Sequence, residues 1–143
     1  VAITPAAGVV EPYGALSLGI IASIICYAFI SNKHKFGFDD TLDAFGIHGI
    51  GGITGALFLS FFIRDSWMDA AAAKAGGSWS VWQQLGVQAT AVGVSILYAA
   101  IVTFIIIFIV NKLFKLRSTA DDEMKGLDTV YHGERGYGML NPN

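Results

Sequence analysis

Residues 44–63, AFGIHGIGGITGALFLSFFI, form an uncharged run in which His48 is the only ionisable side chain. A helix rises about 1.5 Å per residue, so roughly 20 residues cross the hydrocarbon core of a bilayer, which is about 30 Å thick. The run therefore predicts a transmembrane helix. An imidazole is costly at membrane depth, so His48 indicates a transport pathway, a proton relay or a buried hydrogen-bonded pair.

Two more segments, residues 13–30 and 81–110, lack Asp, Glu, Lys and Arg and are also long enough to span. Hydrophobic residues make up 54% of the chain and charged residues 14%, too few to cover the surface of a soluble domain. The sequence predicts an all-α integral membrane protein with spans at about residues 13–31, 41–63 and 80–115. Residues 1–117 then form the transmembrane region and residues 118–143 a tail.

The basic residues predict the orientation of these spans. Five lie after the first and third spans and two on the opposite side: Lys33, Lys35, Lys112, Lys115 and Arg117, against Arg64 and Lys74. Loops rich in Lys and Arg stay in the cytoplasm. We therefore expect the first span to run inward and the third to end in the cytoplasm with the tail, in a plasma or bacterial inner membrane.

On a continuous helix of 3.6 residues per turn, His48 shares a face with mostly small residues. These are Thr41, Ala44, Phe45, Gly51, Gly52 and Gly55. One interpretation is a close helix crossing at Gly51 and Gly55, with His48 as a polar clasp. The other is a narrow lumen, with Ala44, Phe45 and Gly52 lining the pathway beside His48. A metal site is disfavoured because the span has no second ligand at a suitable spacing.

Three carboxylates, Asp39, Asp40 and Asp43, lie at the predicted cytoplasmic start of this helix. Acidic side chains are favourable there because they cap free backbone N–H groups and face the positive end of the helix dipole. Capping accounts for one or two of them. The third indicates either a structural bond to Lys33 or Lys35 or the attraction of cations to a pore mouth, and we prefer the structural account for Asp43.

Three motifs in register resemble the ammonium transporter (Amt/Mep/Rh) family. Residues 39–52, DDTLDAFGIHGIGG, resemble its D-D-x-L-D-x-F-x-x-H-x-x-x-G segment. Residues 3–8, ITPAAG, resemble the family's I-T-P-A-A-G element, which comes before that segment in the family's order. Gly126-Leu127-Asp128, His132-Gly133-Glu134 and Tyr137 resemble the C-terminal signature of the Amt branch.

The resemblance implies a fold of eleven transmembrane helices, built as two inverted five-helix repeats plus a long final helix and assembled as a homotrimer. The three spans here would be the last three of the eleven. Because the chain opens at Val1, we expect the remaining helices to come from a longer parent chain or a separate polypeptide. The first pore histidine, the outer phenylalanine gate and the external recruitment site of the family have no counterpart here.

His48 matches the second histidine of the family's twin-histidine pair, which lines a hydrophobic pore for ammonium or ammonia. A bare ammonium ion would pay a large Born penalty in such a pore, whereas neutral ammonia would not. A neutral imidazole can hydrogen-bond to ammonia without adding charge. Potassium has no proton to release and would be rejected. The implied function is transport without a cofactor, and not catalysis.

The tail, residues 118–143, is polar and lacks periodicity, so by itself it predicts a flexible extension in which Asp121, Asp122 and Glu123 are solvated. The resemblance implies more. In relatives this tail docks beneath its own and the neighbouring subunit and helps to present the cytoplasmic face to PII-type signalling proteins of nitrogen regulation. The residues that carry this signature are Gly126, Asp128, His132, Gly133, Glu134 and Tyr137.

Two alternatives remain open: an ammonium sensor of the same architecture and a non-catalytic membrane-anchor subunit of a larger complex. A sensor would retain the same pore residues, so only a flux measurement separates it from a transporter. An anchor subunit with haem would need paired histidines, and the spans contain one. The sequence has no nucleotide-binding loop, no nucleophile with a partner base and no basic stripe for nucleic acid.

Overall fold

The computed structural model describes residues 1–37, 39–114 and 116–134. The chain divides into two compact units, one of residues 1–97 and one that begins at Tyr98. Across the described residues the fold is helical and contains no strand, apart from one isolated antiparallel bridge between Val10 and Ile63. The predicted all-α class is therefore confirmed at this level.

The helices follow the apolar runs of the sequence. A 3-10 turn at Thr4–Ala6 precedes α1 (Pro12–Asn32), which continues into a 3-10 turn at Lys33–Phe36. A π-helical segment at Phe45–Ile50 leads directly into α2 (Gly51–Phe58) and a 3-10 turn at Leu59–Phe61. Next come α3 (Asp65–Ala75) and α4 (Val81–Leu113). In the tail, α5 (Ala120–Lys125) is followed by a second π-helical segment, Asp128–His132.

Two helices of the described chain are long and apolar enough to cross a membrane: Pro12–Phe36, with mean hydropathy 2.0, and Val81–Leu113, with mean hydropathy 2.7. The second has 33 residues and would measure about 50 Å, well beyond the thickness of a hydrocarbon core. The middle helix, Phe45–Phe61, is apolar but shorter. It does not begin at residue 41 as predicted, because Asp43 adopts a left-handed conformation (φ 55°) that interrupts a right-handed helix.

The core of the first unit joins the N-terminal segment to α1 and to the end of the middle helix. Its buried apolar side chains are Ala6, Val10, Leu18 and Leu59. In α1 the buried residues Gly14, Leu18 and Ala22 recur every four positions and so form one seam along the helix. The remaining faces of α1 are exposed or half-buried within the described chain.

Candidate functional site

His48 lies within the π-helical segment Phe45–Ile50, and its side chain is exposed in the described chain. Among the described residues its hydrogen-bond partner is the Ala44 carbonyl oxygen, 3.2 Å from Nδ1. A carbonyl oxygen can only accept, so this bond requires the proton on Nδ1. In the neutral ring Nε2 is then an acceptor, available to a donor from outside the helix.

The stripe of small residues predicted to share a face with His48 is divided in the structure. Gly51 and Gly55 are buried, whereas Gly52 has open space where a side chain would begin. A π-helical turn holds about one more residue than an α-helical turn, and each residue of an α-helix adds about 100° of rotation. The wide turn therefore moves His48 away from the face of Gly51 and Gly55, and the prediction of one continuous face is wrong.

Gly51 and Gly55 both lie at close contacts, as one interpretation predicted, but only Gly51 faces a helix, and the irregular N-terminal segment contacts Gly55. A Cβ atom added to Gly55 would lie 2.7 Å from the Ala2 Cα atom and closer still to the Ala2 carbonyl oxygen. A Cβ atom added to Gly51 would lie 3.3 Å from the Cys26 Sγ atom of α1. The Ala2 backbone thus accounts for Gly55 and the Cys26 side chain for Gly51, and His48 does not act as a clasp within the described chain.

The start of the wide turn packs against the C-terminal part of α1. Gly46 is buried, and a Cβ atom there would lie 2.6 Å from the Ile30 Cγ1 atom. The Phe45 ring meets the Phe29 ring edge to face, with the centroids 5.7 Å apart, and keeps 49% of its surface exposed. Ala44 is exposed, like His48. The predicted pathway residues therefore remain accessible, while Gly46 anchors the turn.

The three carboxylates before this turn have different roles. Asp40 caps it: Oδ2 accepts hydrogen bonds from the backbone N–H groups of Phe45 (3.0 Å) and Gly46 (3.2 Å). Asp43 forms a salt bridge of 2.5 Å with Lys33, whose ammonium group also donates to the Asp40 carbonyl oxygen. Asp39 is exposed and accepts from the Thr41 hydroxyl group. Of the two explanations for a third carboxylate, the structural bond is the one seen at Asp43, and its partner is Lys33.

The first half of the tail is ordered by local bonds. Thr119 and Asp122 form a reciprocal capping box at the start of α5. The Arg117 Nε atom lies 3.0 Å from Glu123 Oε1, and this hydrogen bond and the positive charge lower the pKa of the Glu123 carboxyl group. The carboxylates of Asp121, Asp122 and Glu123 are thus exposed or half-exposed, but those of Asp122 and Glu123 bind neighbours and are not simply solvated.

The described signature residues of the tail lie within or beside the second π-helical segment. Gly126 (φ 88°) and Gly133 (φ 68°) have positive φ values, which residues with a Cβ atom rarely adopt. This backbone conformation explains why glycine occupies both positions. The backbone N–H of Glu134 donates to the Asp128 carbonyl oxygen at 3.2 Å. His132 lies exposed at the end of the segment. Tyr137, the last signature residue, lies outside the described residues.

The sequence predicted neither of two features of the site: the π-helical turn at His48 and the N-terminal segment that covers Gly55. Gly46 and Gly49 were the available signal for the first, because each allows a bulky neighbour to approach closely. Nothing in the N-terminal segment indicates its partner. Within residues 1–37, 39–114 and 116–134, no three or more His, Cys, Asp or Glu side chains come together as a metal site.

Comparison with known proteins supports the family resemblance of the sequence motifs. The sequence model of the Ammonium Transporter Family matches residues 1–137. The ammonium transporter of Bacillus subtilis is 42% identical over 140 residues, which cover 96% of this chain and 34% of that protein. An ammonium transporter of Aquifex aeolicus is 38% identical, covering 97% and 32%, and the ammonium transporter MEP3 of Saccharomyces cerevisiae is 38% identical, covering 96% and 29%. The chain spans about a third of the length of these relatives. It belongs to the ammonium transporter family, a family of membrane transporters and not of enzymes.

Proposed function

We propose that this chain forms part of an ammonium transporter and that His48 lines its conduction pathway. The observation that carries the proposal is an exposed imidazole on an otherwise uncharged apolar helix. Contact with lipid tails would be unfavourable for this ring, so the exposed face is better matched by a cavity or by other polar groups of the complete protein. The names of the relatives, all ammonium transporters, support ammonium as the substrate.

The ring is suited to handle an ammonium ion that has lost its proton. With Nδ1 bound to the Ala44 carbonyl oxygen, Nε2 presents a lone pair to an N–H group of the substrate. Ammonia can enter an apolar lumen at low cost, whereas a bare cation pays a Born penalty of several kcal/mol. Ala44, Phe45 and Gly52 would line the same pathway. A second histidine, contributed by the rest of the transporter, would line the pore beside His48.

The remaining assignments concern the setting of this pathway. We place Phe45–Phe61 as the middle of three membrane-crossing helices, between Pro12–Phe36 and Val81–Leu113. The Lys33 side of the membrane and the tail would be cytoplasmic, by the positive-inside rule. Asp39, Asp40 and Asp43 would then stand at the cytoplasmic mouth. Assembly as a homotrimer and docking of a PII-type protein are proposed from the resemblance of the tail signature.

Substitution of His48 by Asp in the full-length transporter tests the pathway role. A fixed carboxylate would stabilise dehydrated cations, so we expect the ratio of ammonium to potassium flux into proteoliposomes to fall at least about tenfold. His34→Asp is the matched control, because His34 lies in the exposed turn after α1 and should leave the ratio unchanged. A His48→Asp protein that still excludes potassium while carrying ammonium would contradict the proposal. Ammonium binding without flux in the unmodified protein would favour the sensor.

A further inference from the structure

The direction of the His48 side chain depends on the wide turn in which it lies. If Phe45–Ile50 were α-helical, the residues ahead of the segment would rotate by about 100° relative to α2, and His48, midway along it, by about half as much. His48 would then turn toward the face of Gly51 and Gly55, which the N-terminal segment and Cys26 already cover. The ring is kept on the open side only while the extra residue stays in the turn. The bonds that hold the turn therefore control the access of substrate to the ring.

The turn is capped at its start by one carboxylate. The Asp40 side chain accepts hydrogen bonds from the first two backbone N–H groups of the wide turn, on Phe45 and Gly46. The first N–H groups of any helix lie ahead of its internal hydrogen bonds, and the left-handed conformation of Asp43 prevents this helix from extending backwards. Asp40 itself is held by Lys33, which donates to its carbonyl oxygen and pairs with Asp43.

We infer that Asp40 is a positioning residue for His48: its cap holds the π-helical register that keeps the imidazole on the open face of the middle helix. Lys33, which directly follows α1, supports the cap by bonding to Asp40 and Asp43. Asp40 need not touch the substrate, and its negative charge is not the essential property. What the turn requires is an acceptor oxygen at that point. This inference rests on the proposed pathway role of His48.

Three variants of the full-length transporter separate position from charge. Asp40→Ala removes both the charge and the acceptor. Asp40→Asn removes the charge but keeps an acceptor oxygen, and Asn is among the best capping residues. Asp39→Ala removes an equal charge one residue away, from a side chain whose hydrogen bond goes to Thr41 and not to the turn. All three are compared by ammonium and potassium flux in proteoliposomes and by the ¹⁵N chemical shifts of the His48 ring in isotope-labelled protein.

We expect Asp40→Ala to lower the ratio of ammonium to potassium flux about fivefold, the effect of losing one helix cap on a two-state equilibrium. The same variant should shift the His48 Nδ1 resonance as its bond to Ala44 is lost. Asp40→Asn should retain the flux ratio and the His48 resonance of the unmodified protein, and Asp39→Ala should retain the resonance. If Asp40→Ala does not fold, Asp40→Glu gives the same comparison, because it keeps the charge but moves the acceptor away by one methylene group. It should lower the ratio and shift the resonance in the same direction.

The outcomes distinguish this inference from the proposed function. Equal losses in Asp40→Asn and Asp40→Ala would show that charge matters and not capping, and would overturn the inference. So would an unchanged His48 resonance in Asp40→Ala. If His48→Asp lowers selectivity but Asp40→Ala does not, the pathway role stands and the positioning role fails. If His48→Asp has no effect, the proposed function itself fails, while the shift of the His48 resonance still reports on the cap.

Discussion

Two short segments of this chain have the same unusual helical geometry and each contains one histidine, but they are stabilised in different ways. Phe45–Ile50 and Asp128–His132 are both π-helical. Asp43, in a left-handed conformation, precedes the first segment. Gly126 and Gly133, both with positive φ, flank the second segment. Similar backbone geometry thus arises once beside a buried seam and once in a mostly exposed tail.

Tertiary packing supports the first segment, and local bonds support the second. Gly46 is buried against Ile30 of α1, so the first turn depends on a neighbouring helix. In the second, the N–H of Gly133 donates to the Thr129 carbonyl oxygen at 3.2 Å, and no residue is buried. A histidine in a π-helical segment is therefore not, by itself, evidence of a functional site. His48 is a candidate for function because its surroundings in sequence are apolar and uncharged, whereas His132 lies in an exposed segment close to the charged residues Asp128 and Glu134.

The largest effect should come from disturbing the packing of α2, the helix that continues the first segment. In Gly55→Ala the new methyl group would overlap the backbone of Ala2, which cannot move away as a side chain could. We expect a loss of about 3 kcal/mol, at the upper end of the usual cost of overpacking, seen as a lower Tm of the full-length protein in detergent. Gly52→Ala, in the same helix but with open space, should change stability by no more than about 1 kcal/mol. Equal effects of the two variants would refute the proposed difference between the faces.

A smaller and strictly local effect is expected in the second segment. In Gly133→Ala the positive φ of 68° becomes strained, at a cost of about 1–2 kcal/mol. Hydrogen exchange should accelerate at the amides of residue 133 and Glu134, whereas the amides of α1 and α2 should be unaffected. Gly133→Asn is the control, because Asn tolerates this conformation better than other residues with side chains. Faster exchange in α1 would mean that the tail is coupled to the first unit, and the contrast with the first segment would fail.

How far the sequence predicted the structure differs between these regions for physical reasons. Helices α1 and α4 begin and end within about two residues of the predicted spans, because long apolar runs bounded by polar residues define them. The start of the middle helix was placed too early, since Asp43 adopts a left-handed conformation and its side chain pairs with Lys33 instead of continuing the helix. Such a bond joins residues ten positions apart and leaves no periodic signal.

The site shows the same limit. His48 could be selected from the sequence because one ionisable side chain in an uncharged run needs no tertiary information. Its separation from Gly51 and Gly55 could not be predicted, because the π-helical turn lies among contacts between residues distant in sequence, such as that of Gly46 with Ile30. The positive-φ glycines of the tail were identified as signature residues by resemblance. Their conformation is a property that only the structure supplies.

The smallest effect concerns the ion pair at the base of the tail. Bonding to Arg117 lowers the pKa of Glu123 from its ordinary value of 4.5, so the carboxylate binds its proton less readily in the folded tail than in an unfolded one. The pair therefore favours the folded tail above about pH 4.5, and this contribution disappears as the pH falls through the lowered pKa. A titration of the Glu123 carboxyl resonance by NMR should show the lowered pKa, and Arg117→Gln should return it toward the ordinary value. Both side chains are accessible to water, so their ion pair contributes little to stability. We therefore expect α5 to stay folded in Arg117→Gln, held by its Thr119 cap. Loss of α5 in this variant would show instead that the ion pair, and not the cap, holds the start of the tail.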